Sequence, residues 1–492
     1  MQRAFLLILA LVLLVPPQAP AAALVPAAPI PNMPGQDAGP AFIGHPARTR
    51  PLRSFRVPEH PFMAPNGRSN IHNDPYMTDA YAQRGPMGRG TTSTSTWLGL
   101  EECASITFDS RGRIVGLCGT ADGARLRLFD ATSLETLAIL PLPPRSVRPG
   151  TTPLTDFCSA GYFYLGRDDR GVLATNTNQI WVVGVTEPGV FVLEAVHDVN
   201  AAAPPPDCIA SVLPDWSGRL WFVTRLGVVG TIDPDTGAVE SLAFEDELIV
   251  NSFAVDETGG VYVVSDHAMY RLQADPATGG PEVAWRVAYD RGTRQKPGQL
   301  SRGSGVTPTL VGKDFVAITD NAEPRMRVEV YRRDSGRLVC RQPVFAAGRS
   351  ATENSLIAVG RGLIVENNYG YESPVSTADG LSTEPGLARV DFDPRRRRCR
   401  TVWTSRETSP TTVAKASLGS GLVYAYAKPP NEDGVDAWYL TAIDFRTGRT
   451  VFKVLTGTGY LYNNHYAPVS IGPDGAAYVG ALGGLLRIAD GA

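Results

Sequence analysis

Apolar residues along this chain recur in short runs, each pair of runs joined by a tight turn that contains glycine. Clear copies of this pattern occupy residues 251–268, 307–324, 352–370 and 465–482. The pattern recurs about eight times, and a repeat of roughly 40–60 residues built only from strands is typical of a β-propeller. We therefore predict an all-β fold in which each repeat forms one blade.

Two kinds of turn divide each repeat into strands A to D, counted outward from the axis. The A–B turns are rich in glycine, which supplies the positive φ that tight turns need. The C–D turns begin with aspartate and end in Thr-Gly or Ser-Gly, as in Asp233–Gly237 and Asp444–Gly448. Runs such as 260–264 and 314–318 are too continuously apolar for surface strands and are predicted to pack between blades.

Counting the repeats gives eight blades, with a seven-bladed ring and one irregular insertion as the alternative. The last repeat supplies only strands A, B and C, the third at 485–488, before the chain stops at Ala492. Residues 92–100 alternate with period two just ahead of the first A strand. We predict that they supply the missing outer strand, so that residues 92–492 form one closed propeller.

The N-terminus has the pattern of a secretory signal. Arg3 precedes an apolar stretch, and Ala21 to Ala23 supply a cleavage site, which predicts a signal peptide at 1–23. The apolar stretch of about a dozen residues is too short to span a bilayer, so stable membrane insertion is not expected. A Pro/Ala-rich arm follows at 24–91. The protein is predicted to be secreted, extracellular or periplasmic.

The six cysteines fit an oxidised, exported protein. Their positions in the repeat favour three pairings. Cys103 and Cys118 flank one hairpin symmetrically. Cys158 and Cys208 both precede the first strands of neighbouring repeats, which leaves Cys340 and Cys399, both in outer strands. These are the predicted pairs.

Charge composition narrows the class of partner. The formal net charge is -3, and acidic residues slightly outnumber basic ones. A nucleic-acid partner is therefore not expected. A small-molecule or glycan ligand and a monomeric state are favoured. The run Arg395–Arg398 falls in an expected C–D turn and is interpreted as a solvated loop.

The propeller geometry predicts where chemistry should lie. D–A and B–C connections share one face, so the residues that start A strands and end B strands converge on one mouth of the channel. Carboxylates and amides collect there, and such oxygen ligands suit Ca²⁺. The predicted calcium ligands are Asp320, Asn321, Glu353, Asn354, Glu366 and Asn367. The alternative is that these side chains cap turns.

Candidate catalytic residues lie on the same mouth. His465 and His267 are predicted there, and a neutral imidazole near a carboxylate such as Glu353 can act as a general base. His72 lies in a polar, aromatic segment that is predicted to fold over the mouth as a lid. The predicted substrate-binding residues are Asn251, Asn354, Asn368, Tyr369, Tyr371, Lys428, Asn464 and His72.

The Asp-containing turns that end in Thr-Gly resemble those of the quinoprotein-like (PQQ-like) propeller superfamily. The resemblance extends from about residue 92 onward and implies a propeller fold. Quinone-dependent dehydrogenases of that kind carry adjacent cysteines above the cofactor, and no two cysteines are adjacent here. PQQ is therefore not the expected cofactor.

Three functions remain open from the sequence. The first is a metal-assisted hydrolase, such as a lactonase or esterase, in which Ca²⁺ polarises an oxygen of the substrate and a histidine activates water. The second is a non-catalytic propeller that binds a glycan or small molecule. The third is a quinoprotein dehydrogenase.

Overall fold

The computed structural model describes residues 28–145, 152, 158, 161–186 and 189–491. The predicted signal peptide at 1–23 lies outside these residues. Within the described part of the chain, no helix is long and apolar enough to cross a membrane.

Three strands of the N-terminal arm precede the first blade, and the first four blades follow as consecutive antiparallel sheets. The arm contributes β1 (Phe42–Gly44), β2 (Ala80–Tyr81) and β3 (Thr92–Trp97). Blades 1 and 2 comprise β4 (Glu102–Phe108), β5 (Ile114–Gly119), β6 (Gly123–Phe129), β7 (Thr136–Pro144), β8 (Phe163–Leu165), β9 (Gly171–Ala174), β10 (Gln179–Thr186) and β11 (Val190–Asp198). Blades 3 and 4 comprise β12 (Ile209–Pro214), β13 (Leu220–Thr224), β14 (Val228–Ile232), β15 (Val239–Ala243), β16 (Ala254–Val255), β17 (Val261–Val264), β18 (Ala268–Ala274) and β19 (Pro281–Ala288).

The last four blades have the same up-and-down order. Blades 5 and 6 comprise β20 (Thr309–Val311), β21 (Phe315–Thr319), β22 (Arg327–Arg332), β23 (Leu338–Pro343), β24 (Ile357–Val359), β25 (Gly362–Glu366), β26 (Leu387–Asp393) and β27 (Arg398–Ser405). Blades 7 and 8 comprise β28 (Lys415–Ser417), β29 (Leu422–Ala427), β30 (Ala437–Asp444), β31 (Thr450–Thr458), β32 (Val469–Ile471), β33 (Ala477–Ala481) and β34 (Gly484–Ala489). Two short 3-10 helices, Pro374–Thr377 and Tyr460–Tyr462, lie in connections.

The structure confirms the eight-bladed propeller and its closure. β3 pairs antiparallel with β34, from Thr92 opposite Ala489 to Trp97 opposite Gly484, and completes blade 8. The closing strand ends at Trp97 rather than residue 100, because Gly99 adopts a positive φ of 81° and turns the chain toward β4.

The core lies between the blades. The inner strands are buried along their whole length, as in β13 and β17, whereas outer strands such as β19 alternate between half-buried and exposed positions. This difference follows from the continuously apolar runs in the sequence, since an inner strand contacts neighbouring blades on both faces.

All three predicted disulfides are present: Cys103–Cys118, Cys158–Cys208 and Cys340–Cys399. The first joins the two inner strands of blade 1. The third joins the outer strands β23 and β27, so it links blade 5 to blade 6.

The N-terminal arm closes the central channel from the face that carries the A–B turns. It passes beneath Gly421 and Gly312 in the A–B turns of blades 7 and 5, where Arg50 and Phe55 contact those glycines. It then enters the channel, where Met63 bridges to Gly166 at the end of β8. Residues 63–83 fill the channel, and we call them the plug.

Backbone hydrogen bonds fix the plug to the innermost strands of the ring. Its carbonyl groups accept bonds from the first strands of four blades: Pro75 from Val255, Tyr76 from Leu310, Thr78 from Ala358 and Asp79 from Ala416. β2 also runs parallel to β28 at the axis. The predicted lid is therefore corrected: the segment around His72 lies inside the channel and not over the mouth, because the inner strands offer it unpaired backbone groups.

Candidate functional site

Two adjoining cavities open at the mouth, above the plug. The upper chamber has a volume of about 570 Å³, and the floor pocket beneath it about 60 Å³. Both are lined by Tyr162, Val250, Leu300, His465 and Tyr466. Because the plug lies below, the two cavities form a blind funnel. The floor pocket can hold a few water molecules or one small group of a ligand.

The plug contributes His72 to the floor of this funnel. Its Nδ1 lies 3.0 Å from Oδ1 of Asp79, and both side chains are buried. A carboxylate at Nδ1 favours the tautomer with hydrogen on that nitrogen. His72 Nε2 lies at the other end of the ring, is buried, and has no hydrogen-bond partner among the described residues. The floor pocket that His72 lines is therefore the space in which this nitrogen could meet a ligand.

Lys415, on the innermost strand of blade 7, completes this cluster. Its ammonium group contacts Asp79 and donates a hydrogen bond of 2.6 Å to the carbonyl oxygen of Ile71. Burial raises the pKa of Asp79, but its interactions with His72 and Lys415 outweigh burial, so the net pKa is lowered. Burial lowers the pKa of Lys415 against the attraction of Asp79. Asp79 is thus an anion that orients His72.

Glu353, at the start of the A strand of blade 6, faces the same pocket. Its Oε1 accepts a 2.9 Å hydrogen bond from the backbone N–H of Leu300. Its Oε2 is buried without a partner among the residues described. Burial raises the pKa of Glu353 to about 8. The carboxyl group is therefore mostly protonated at neutral pH and can donate a proton.

This raised pKa predicts a pH-dependent stability. The native state holds the Glu353 proton more tightly than the unfolded chain does, so Glu353 makes its full contribution to stability at low pH. This contribution declines as pH rises from the ordinary glutamate range to about 8. Relative to Glu353→Gln, the wild-type free energy of unfolding should fall by about 1.4 kcal/mol per pH unit within that window. Urea titrations of both proteins at pH 5, 6, 7 and 8 measure the difference. If the free energies of unfolding of the two proteins change with pH in parallel, the pKa of Glu353 is not raised.

Two amides border the acid. The Nδ2 group of Asn354 donates to Glu366 Oε2 and to the carbonyl oxygen of Thr412, each at 2.7 Å. Its Oδ1 is buried without a hydrogen-bond partner in the described part of the chain, and the buried side chain of Asn251 lies beside the Glu353 carboxyl group, whose pKa it lowers by less than burial raises it. Both residues line the floor pocket. The pocket therefore offers a ligand an amide oxygen beside the acid and the imidazole.

His465 and Tyr466 form one wall of the funnel in a strained backbone. Their φ angles are 31° and 73°, a region that non-glycine residues rarely adopt. The Tyr371 hydroxyl lies 2.9 Å from His465 Nδ1 and donates to Asn463 Oδ1 at 3.1 Å. Such strain persists only when the surroundings fix it, and it is common at functional sites.

The upper chamber is basic. Arg225, Arg294 and Lys296 line it, with Glu372 as the acidic side chain among its described lining residues. Lys296 is buried and donates to the Ala322 carbonyl oxygen at 2.8 Å, and burial lowers its pKa. Arg294 lies 3.6 Å from the carboxylate of Glu323, whereas Arg225 has no ion pair within the described residues, so Arg225 is the group best placed to bind a ligand that carries negative charge.

The predicted calcium ligands lie in several separate networks. Asp320 is bound by Arg327 at 2.5 Å, and Asn321 and Asn367 donate to loop carbonyl groups. Glu353 and Asn354 line the floor pocket, and Glu366 contacts Asn354. In the part of the chain that the structure describes, no three His, Cys, Asp or Glu side chains are spaced to hold a metal ion. The six residues do not share one shell, and the calcium site stays a prediction.

Five other sequence candidates support the mouth without lining the funnel. Asn368 accepts the Glu353 N–H at 2.8 Å and so positions that residue. His267 is paired with Asp266 at 2.9 Å, and Lys428 with Asp436 at 2.9 Å. The remaining two are Tyr369, half-buried beside Arg294, and Asn464, which donates to Ala467 O.

Six residues that the sequence predicted for the site do line the funnel: His72, Asn251, Glu353, Asn354, Tyr371 and His465. Sequence reasoning missed the chamber residues Tyr162, Arg225 and Lys296. It also missed Asp79, which pairs with His72, and Lys415, which pairs with Asp79. The connection between β19 and β20 gave one usable signal. It is unusually long, and long connections on the site face of a fold are commonly functional.

Comparison with known proteins gives no functional assignment. No protein-family model matches the chain. An uncharacterized protein of Archaeoglobus fulgidus is 30% identical over 318 residues, which cover 57% of this chain and 60% of that protein. The chain thus matches less than two thirds of that relative's length.

Similar solved structures are propellers as well. BamB from Moraxella catarrhalis is 14% identical, covers 65% of this chain and 93% of its own, and has a TM-score of 0.39. Streptogramin B lyase is 8% identical, covers 81% of this chain and 97% of its own, and has a TM-score of 0.42. These likenesses, like the resemblance inferred from the C–D turns of the sequence, concern the propeller fold alone.

Proposed function

We propose that this protein hydrolyses small lactones or esters that carry a negatively charged group, and that its active site is the floor of the funnel. The observation that carries the proposal is a convergence of buried, unpartnered polar atoms on the floor pocket. A neutral carboxylic acid, an oriented imidazole and two amides surround a space of about 60 Å³. Burying such groups without partners is costly, so they indicate a polar ligand.

His72 and Glu353 suit opposite roles in hydrolysis, the first as a general base and the second as a general acid. His72 Nε2 would take a proton from water as the water oxygen adds to the substrate carbonyl carbon. Glu353 would give its proton to the leaving oxygen as the ester C–O bond breaks. The products are an acid and an alcohol, and solvent returns the proton from His72 to Glu353. Asp79 would stabilise the imidazolium that forms.

The basic chamber supports an anionic substrate. Arg225 lines the chamber, and its guanidinium group forms no ion pair or hydrogen bond within the described residues. Arg225→Gln should raise KM about tenfold for anionic lactones, because a charge-assisted hydrogen bond contributes about 1.5–3 kcal/mol. KM for neutral lactones of the same size should change little. Steady-state kinetics on matched pairs measures this, with Arg449→Gln on an outer turn as the control. An equal effect on both substrate classes would contradict the assignment.

A panel assay tests the proposed function. Purified protein is incubated with anionic and neutral lactones, esters and phosphate esters, with chelator or with added Ca²⁺. Turnover that Glu353→Gln removes supports the proposal, and its response to chelator decides the calcium prediction. Tight binding of panel members without any turnover would instead favour a ligand-binding propeller.

We also infer that the protein works outside the reducing cytoplasm. Three disulfides and no membrane-spanning helix among the described residues are consistent with an extracellular or periplasmic protein.

A further inference from the structure

The junction between the outer edges of blades 5 and 6 has an arginine content unlike that of the rest of the chain. Residues 325–406 contain fifteen arginines, nine acidic residues and no lysine, whereas acidic residues exceed basic ones over the whole chain. The run Arg395–Arg398 belongs to this stretch. The proposed hydrolysis uses none of these arginines.

A groove of about 410 Å³ lies at this junction, at the outer rim of the face that carries the B–C and D–A connections. Its walls come from the ends of β23 and β27 and from the loop at 344–349. Arg325, Arg349 and Arg406 line it, together with the hydroxyl-bearing Thr401 and Thr404. It shares no lining residue with the funnel.

Two of the three guanidinium groups are available to a ligand. Arg349 is paired with Glu384 at 2.9 Å. Arg325 and Arg406 are exposed, and the described residues give them no hydrogen bond or ion pair. Some other arginines on these blades are ion-paired, as Arg327 is with Asp320. The groove therefore holds uncompensated positive charge.

The groove is rigid. The disulfide Cys340–Cys399 joins the two strands that form its walls. The buried amide of Asn367 donates to the carbonyl groups of Arg349 at 3.1 Å and Pro385 at 3.3 Å, which ties the loops on either side together. A fixed groove loses little entropy when a ligand binds.

We propose that this groove binds an acidic polysaccharide through its carboxylate or sulfate groups. Planar guanidinium groups bind such anions with two parallel hydrogen bonds, which a lysine cannot do. The hydroxyl groups of Thr401 and Thr404 suit sugar hydroxyls. A recessed groove fits a single chain better than a flat membrane surface.

The run Arg395–Arg398 extends the positively charged surface beyond the groove. β27 connects the groove to the run at Arg395–Arg398 over eight residues, or about 26 Å of extended strand. The Arg397 guanidinium donates to the Leu338 carbonyl oxygen at 3.1 Å, which holds this turn against blade 5. A linear polyanion can therefore contact both ends, and its affinity should rise with chain length.

Binding of defined oligosaccharides tests the proposal. Isothermal titration with sulfated and polyuronate hexasaccharides should show binding that weakens as salt rises, while a neutral hexasaccharide should not bind. Arg325→Ala/Arg406→Ala should weaken binding at least about tenfold. The control Arg302→Ala/Arg449→Ala removes the same charge elsewhere and should change affinity less than twofold. Thermal melting checks that both variants are folded.

Three outcomes would overturn the proposal: equal losses in the two double variants, free sulfate binding as tightly as the hexasaccharides, or binding to vesicles with anionic lipid but not to the saccharides. The hydrolysis assay is independent of this site. Both double variants should keep wild-type turnover, so failure here is distinct from failure of the proposed function.

Discussion

Glu353→Gln is expected to lower kcat on the funnel's substrate by about a hundredfold to ten-thousandfold, with a much smaller change in KM. Glutamine keeps the size and the hydrogen bond that Glu353 Oε1 accepts from Leu300, but it cannot donate an acidic proton to a leaving oxygen. The pKa of about 8 makes the wild-type group a proton donor at neutral pH. Loss of kcat with intact binding is the pattern for an interaction made in the transition state.

The matched control for this prediction is Glu240→Gln, an exposed position on the outer strand β15. It should leave kcat unchanged. A second readout is the pH profile: the activity that depends on a protonated acid should decline as pH rises past about 8. If Glu353→Gln keeps full activity on a substrate that the protein turns over, Glu353 is not the acid.

Asp79→Ala is expected to lower the free energy of unfolding by about 3–5 kcal/mol. The substitution leaves the Lys415 ammonium group fully buried without its carboxylate, and removes the partner of His72. It should also loosen the plug, since Asp79 lies where the plug joins the innermost strand of blade 7. Urea unfolding followed by fluorescence measures the change.

Two further variants serve as controls for the expected effect of Asp79→Ala on stability. Asp235→Ala, in an exposed C–D turn, should change stability by less than about 0.5 kcal/mol. Asp79→Ala/Lys415→Met removes both charges and should recover most of the lost stability, because no charge is left buried alone. If the single variant is as stable as wild type, the plug is not anchored by this ion pair.

The ring was predictable because its signal is local and repeated. Gly-containing turns and continuously apolar runs mark each blade, and the period-two segment at 92–100 identified the closing strand, which the structure places at Thr92–Trp97. Position within the repeat was also enough to pair Cys340 with Cys399, since equivalent strands of neighbouring blades lie side by side.

The floor of the funnel was only partly predictable, since two of its lining residues, Ile71 and His72, come from outside the repeat. Glu353 and Asn251 follow from the rule that A-strand starts converge at the mouth. The role of His72 depends on a non-repeating arm that enters from the opposite face. Lys415, which pairs with Asp79 of the plug, lies more than 300 residues away in the chain, and no local pattern links the two.

Several of the predicted site residues make the side-chain to backbone hydrogen bonds that the turn-capping alternative predicts. Asn321, Asn367 and Asn368 use their amides to hold loop backbone at the ends of B strands. A B-strand end and a ligand site demand the same residue types, so sequence alone could not separate the two roles.

The central claim is that His72 of the plug and Glu353 of the ring act together on one substrate. A double-mutant cycle of turnover tests it most directly, with His72→Gln, Glu353→Gln and the double variant, and His197→Gln on the outer strand β11 as the control. The account predicts that each single variant loses at least about a hundredfold in kcat and that the double variant loses little more. Fully multiplicative losses, or wild-type turnover in His72→Gln, would contradict it.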